Sequence, residues 1–310
     1  MKISLEHIYS IINSPKLESH LNIYGNAGFY VSNRTVRHPP GMRNGFVYMG
    51  PDYIEFNWVE RQKEFAKDKS NYHDEFRKHP GPAGFGFETL EVEQFNRSLN
   101  SKGYKVPSVK SRGPSDAKKG DKPWWTFQNF KRRTLPGVIP FALRYETRDL
   151  SKPRKSFIGK NGIFAIVGVT FVAKDPIKDA KRWGDVFGVK ILNKAQDYVS
   201  ITLGAHTLKW MKTSVFKSVY DSGAWLPYKG RFTHLRKMAL LHLYAEDLDR
   251  AEKYLNIAGF KTQHINKPDL NGIYVHPMKS DGYAFFISKY SVKSWLTERR
   301  KLGQKLKIVR

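Results

Sequence analysis

Four times along this chain an apolar, strand-like run leads into a helix-compatible stretch and then into shorter alternating strands, and no other property of the sequence limits the fold as much. The first copy opens on Leu5-Glu6-His7-Ile8-Tyr9-Ser10-Ile11-Ile12, breaks at Asn13-Ser14-Pro15 where a helix can start, and ends in the strand-like run Asp52-Tyr53-Ile54-Glu55-Phe56. The second runs from Gly84-Phe85-Gly86-Phe87 through a helical stretch over 91–102, closed by Gly103-Tyr104, to a strand over 140–145. In the third, an apolar run over 166–172 precedes Asp175-Pro176, a helix up to Phe187-Gly188-Val189, and strands over 198–203 and 206–211. The fourth is the clearest: Leu240-Leu241-His242-Leu243-Tyr244, a helix up to Ala258-Gly259-Phe260, then strands over 272–277 and 282–287. Units of roughly 75 residues that recur in this way have to be read as a repeat before any single motif is interpreted.

Composition bounds the class. The chain has 310 residues, 40% of them hydrophobic, which suffices for two domains of ordinary size. No apolar run reaches the ~18 residues of a membrane span, and Glu6 and His7 stand where a signal peptide needs an apolar core, so the expectation is a cytoplasmic protein with no membrane partner. With no cysteine, disulfides, thiolate ligands and cysteine nucleophiles are excluded. The 54 Lys and Arg against 28 Asp and Glu give a formal charge of +26, a field that attracts polyanions. The basic residues are spread along the chain and match no compact nucleic-acid module, so nucleic acid is the less favoured partner and a small-molecule ligand the favoured one.

One carboxylate stands out chemically. Glu55 lies among apolar strand neighbours, and a buried carboxylate needs a metal, a cation or hydrogen-bond donors. His7, on the first strand of the same unit, is the natural partner. The order His strand, helix, Gly-Phe strand, His-Pro loop, Glu strand resembles the glyoxalase-like branch of the vicinal oxygen chelate superfamily. The loop His38-Pro39-Pro40-Gly41-Met42-Arg43-Asn44 looks like its His-Pro-x-Gly element, with Met42 in place of the threonine that the family version often has.

The resemblance implies an α+β fold in which four βαβββ units pair into two half-barrel domains. The domains are expected at 1–150 (units 1–60 and 83–148) and 161–290, joined by a basic linker over 151–160 and followed by a basic extension over 291–310. It also implies a divalent ion (Zn, Fe, Mn, Ni or Mg) held by His7 and Glu55, with Glu55 catalytic, in a lyase, isomerase or dioxygenase. His38, Arg43, Asn44, Arg144 and Trp125 are the candidate contacts to a small oxygenated anionic substrate.

The ligand set is incomplete, because counting along unit two places Gly84 and Arg144 where a second His and Glu would stand. Arg144 could instead form a buried ion pair with Glu55. The cleft of a metal-free binding or sequestration protein, with Trp58, Trp124 and Trp125 as an aromatic lining, is the alternative. In the second domain the matching positions hold Gly168, Leu240, Lys209 and Phe285, and His242 with His276 forms a weaker candidate site.

Overall fold

The computed structural model describes residues 2–12, 16–38, 41–67, 81–113, 121–131, 134–194, 198–220, 238–268, 270–277 and 282–310. Unit one comprises β1 (Ser4–Ile12), α1 (Leu17–Asn26), β2 (Tyr30–Val31), β3 (Val36–His38), β4 (Met42–Met49) and β5 (Asp52–Val59), followed by a short helix α2 (Gln62–Lys67). Unit two comprises β6 (Gly81–Glu88), α3 (Val92–Ser101), β7 (Lys110–Arg112), β8 (Trp125–Asn129) and β9 (Ile139–Tyr145). After β10 (Arg154–Phe157), unit three follows with β11 (Ile163–Val172), α4 (Pro176–Phe187), β12 (Asn193–Lys194), β13 (Tyr198–Leu203) and β14 (His206–Met211), then α5 (Thr213–Tyr220). Unit four comprises β15 (Met238–Ala245), α6 (Leu248–Ile257), β16 (Thr262–Lys267), β17 (Leu270–Val275) and β18 (Ala284–Lys289), and the chain closes with α7 (Val292–Lys301) and β19 (Leu306–Val309).

The four units pair into two mixed sheets. The first runs β2-β4-β5-β1-β6-β9-β8-β7, with β3 on β4; the second runs β12-β13-β14-β11-β15-β18-β17-β16. In each, two long apolar strands from successive units lie antiparallel at the centre, β1 against β6 and β11 against β15, and each is flanked by a parallel strand of its own unit. Helices α4 and α6 start at capping carboxylates, Asp175 accepting from the Lys178 amide and Asp247 from the Arg250 amide, both at 3.0 Å, whereas α1 and α3 start without a side-chain cap.

One apolar core joins the two sheets. Ile8, Ile54, Phe56, Phe85 and Phe87 of the first share it with Phe171, Trp183, Phe187 and Phe285 of the second half. The rings meet directly: Phe85 lies 5.9 Å from Phe171, Phe87 4.7 Å from Phe187, and Phe29 6.3 Å from Phe285, centroid to centroid. The faces carrying His7 and Glu55 in one sheet and Lys209 and His242 in the other therefore point away from this shared core. The basic segments at the linker and the C-terminus are not loose: β10 and β19 form a two-stranded parallel sheet.

Candidate functional site

Strand parity decides which side chains can meet. On β1, His7 lies opposite Gly86 of β6 and Tyr9 opposite Gly84, while Tyr9 is paired with Glu55 on β5 and Gly86 with Phe141 on β9. Two glycines make this centre possible. A Cβ on Gly86 would lie 2.2 Å from the His7 ring and one on Gly84 2.4 Å from the Tyr9 ring, so both rings occupy space that any other residue would fill. The His7 ring stacks on Tyr53 at 4.8 Å and tilts against Phe141 at 5.2 Å.

His7 is held between two carboxylates. Its Nδ1 contacts Glu6, and its Nε2 lies 3.2 Å from Glu55 Oε2 without completing a hydrogen bond. Asn44 donates its side-chain amide to the other oxygen of Glu55. Burial alone would pull the imidazole pKa down, but Glu6 and Glu55 more than offset it and hold it at about 9, so His7 is a cation at neutral pH. Burial likewise acts to raise the Glu6 pKa, and His7 with Arg154 outweighs it and keeps that carboxyl ionised. Behind Glu6, Arg154 of β10 reaches it at 3.0 Å and Glu88 at 3.4 Å. Two phenols complete the face: Tyr53 and Tyr145 share a hydrogen bond of 3.1 Å, and burial, with the nearby carboxylates, pushes both well above the ordinary phenol range.

The other candidates divide by face. Asn44 joins Glu55, and Trp125 is paired with Tyr145 across β8 and β9, half-buried on that same side. Arg144 does not face Glu55. One residue out of phase with Phe141 and Tyr145, it points to the helical side, where it binds Glu93 of α3 at 2.7 Å and Glu146 at 2.8 Å. The position that matches Glu55 is Phe141, three residues earlier, because β6 pairs with β9 as β1 pairs with β5. Arg43 is turned away for the same reason of parity, bonding Thr35 at 3.0 Å and Glu18 of α1 at 3.1 Å. Trp58 packs on the shared core and Trp124 is exposed. His38 pairs with Met42 through the backbone of β3, and its side chain, with Pro39 and Pro40, lies outside the described residues.

At the positions where the resemblance expects metal ligands, only one half brings donor side chains. There His7, with Glu6 behind its Nδ1, and Glu55 face each other as an ion pair at 3.2 Å. By register the other half is Gly84 and Phe141, which bring no donor atoms. Among the described residues no group of three or more His, Asp or Glu is placed to hold a metal ion. Catalytic divalent ions usually take three protein ligands, so these residues do not make a full metal site.

In the second sheet the same register holds Gly168, Thr170, Lys209 and Phe286, with His242 opposite Gly168. Pairing thus puts Phe286, rather than Phe285, at the fourth position. Thr170 Oγ1 contacts His242 Nε2 at 2.8 Å, while Lys209 lies 4.3 Å above the Tyr198 ring. Burial, reinforced by Lys209, pulls the His242 pKa down to about 3. A cavity of about 420 Å³ opens here; His242 and Lys209 line it, whereas His276 lies at the end of β17 against Tyr274 and does not.

The profile of the family described as "Glyoxalase-like domain" matches residues 5–187, and the chain belongs to this glyoxalase-like family. No curated protein matches the chain in sequence. Among solved structures, a hypothetical protein from Staphylococcus aureus superposes with a TM-score of 0.61 at 13% identity, over 93% of this chain and 100% of that one. The 2,2',3-trihydroxybiphenyl 1,2-dioxygenase from Sphingomonas wittichii gives 0.54 at 14% identity, over 95% and 94%. A catechol 2,3-dioxygenase gives 0.52 at 12%, over 93% and 94%. At these identities the likeness is one of fold.

Proposed function

We propose that the first sheet carries the working site of a small-molecule enzyme, in which His7 and Glu55 move a proton to and from an oxygenated substrate and the Tyr53 and Tyr145 hydroxyls with Asn44 orient its oxygens. The observation that carries this reading is the His7 imidazolium between Glu6 and Glu55 at the centre of the face, beside a glycine that leaves room for nothing larger. A protonated imidazole beside a carboxylate is an acid and a base within one substrate's reach, and such positioned groups contribute ~10²–10⁴ in rate. The aromatic wall of Phe141 and Tyr53 suits a planar or apolar body carrying those oxygens. The substrate is a neutral oxygenated compound, such as an enolisable hydroxycarbonyl, because the two arginines that would have received an anionic group, Arg43 and Arg144, are both engaged with glutamates on the opposite side.

Proton exchange tests this. Enolisable hydroxycarbonyl compounds incubated with the protein in D₂O should lose α-proton signal by NMR, and Glu55→Gln or His7→Gln should slow that loss at least ~100-fold. Equal exchange by wild type and variants would remove His7 and Glu55 from the chemistry. Elemental analysis of protein purified without chelator or affinity metal tests the chelate alternative. One equivalent of divalent metal, absent from Glu55→Gln, would replace the acid–base reading with a metal site completed by substrate oxygens.

A further inference from the structure

We infer that the junction of β1, β6, the linker and the C-terminal segment is a second binding site, for a small polyanion with clustered phosphate or carboxylate oxygens. A cavity of about 630 Å³ lies there, lined by Lys2, Arg148, Lys152, Arg154, Arg299 and Lys305 with a single carboxylate, Glu88. Glu88 is already taken, by Arg148 and by Arg154 at 3.4 Å. Lys2 and Lys305 form no ion pair among the described residues. Asp149 pairs with Lys152 at 3.3 Å, Glu6 with Arg154 and Asp52 with Arg299, so the surplus of positive charge comes from Lys2 and Lys305, and a cleft with low-dielectric walls focuses such a field on whatever enters it.

Arg299 adds a buried positive charge behind this wall. Its side chain is only 3% exposed, its Nη2 reaches Asp52 at 3.7 Å, its guanidinium carbon lies 5.3 Å from the centre of the Trp295 ring, and its Nε and Nη1 meet no acceptor among the described residues. These atoms are closed off from the cavity, so Arg299 acts on an anion there through its field rather than by direct hydrogen bonds. A guanidinium presents its N–H groups in a planar fork that matches two oxygens of a phosphate or carboxylate, and Arg148 and Arg154 stand in the same wall. The volume falls within the ~300–1,000 Å³ usual for a bound small molecule, which suits a ligand carrying a diphosphate.

The site is separate from the His7 face and does not depend on its chemistry. Arg154 is the one residue they share, through its contact with Glu6. The sequence placed its elements in a linker and an extension. The parallel pairing of β10 with β19 brings them together.

Calorimetric titration with inorganic pyrophosphate at low salt tests the proposal. Wild type should bind one equivalent, and the doubly substituted Lys152→Ala/Lys305→Ala, both exposed positions on the cavity rim, should bind at least ten-fold more weakly. Lys63→Ala/Lys67→Ala on α2, equally basic and away from the cavity, should bind as wild type does. Citrate bound with the same dependence on Lys152 and Lys305 would show that anionic oxygens in general are read, and pyrophosphate bound alone would show phosphate. Absence of saturable binding to wild type, or equal weakening in both double variants, would overturn the site. A single-stranded oligonucleotide that binds tightly where pyrophosphate does not would overturn it in favour of nucleic acid.

Discussion

Around the central strand pair of the first sheet stand His7, Tyr9, Glu55 and Phe141, and the same register in the second sheet holds Gly168, Thr170, Lys209 and Phe286. The backbone pairing is the same and the charges are exchanged. An imidazolium sits between carboxylates on one face, while on the other an amine takes the carboxylate's place beside a neutral imidazole. Pairing register, fixed by apolar residues on the core side, can thus persist while the outward side chains diverge, because alternate residues of a strand answer to different surroundings. What differs is compensation. The first face matches His7 and Arg154 with carboxylates; among the described residues Lys209 meets an aromatic ring and no carboxylate, and burial lowers its pKa.

The sharpest way to break the comparison is to remove one charge from each face. Glu6→Gln strands Arg154 and His7 without their shared carboxylate and should cost about 3–5 kcal/mol in urea denaturation. Lys209→Met removes an amine that has no carboxylate beside it among the described residues and should leave stability within ~1 kcal/mol of wild type or raise it. Comparable losses in the two variants would mean that Lys209 is compensated as fully as Glu6.

The same contrast gives opposite pH dependences. The folded pKa of His7, about 9, lies above the ordinary 6.5, so its stabilisation is full below pH 6.5 and is lost as pH rises toward 9. The folded pKa of His242, about 3, lies below 6.5, so its stabilisation is full above pH 6.5 and is lost as pH falls toward 3. In stability measured across pH, His7→Gln should flatten the alkaline limb by on the order of 2–3 kcal/mol, and His242→Gln should flatten part of the acid limb. An alkaline limb unchanged in His7→Gln would show that His7 is neutral in the folded protein.

The smallest effect belongs to the residue that distinguishes sequence from structure. Arg144→Ala should cost less than about 1 kcal/mol, because its pairs with Glu93 and Glu146 lie toward solvent. It should also leave proton exchange at the His7 face unchanged, whereas slowed exchange would return Arg144 to the site.

The four units, their pairing and the approach of His7 to Glu55 were legible in the sequence, since hydrophobic periodicity and turn residues set strands and helices locally. Counting along unit two misplaces Arg144 because sequence pattern fixes neither register nor parity, and a shift of an odd number of residues turns a side chain to the other face. Glu6 was hidden for a related reason. Strict alternation would send it away from His7, but the pairing of β1 with β6 shifts register between Leu5 and His7, and both side chains are buried in contact. Arg154 reads as one more basic linker residue. Its role depends on β10 pairing with a strand about 150 positions later, which no local signal reports.

The shared core has a consequence for how this protein varies. Phe85 and Phe87 rest on Phe171, Trp183 and Phe187, so neither half can melt without opening the other. Heat or denaturant is therefore expected to meet a single cooperative object. A substitution that loosens one outward face draws on the same reserve of stability as a substitution on the other, and the two faces, free to diverge in chemistry, are bound to one margin of tolerance.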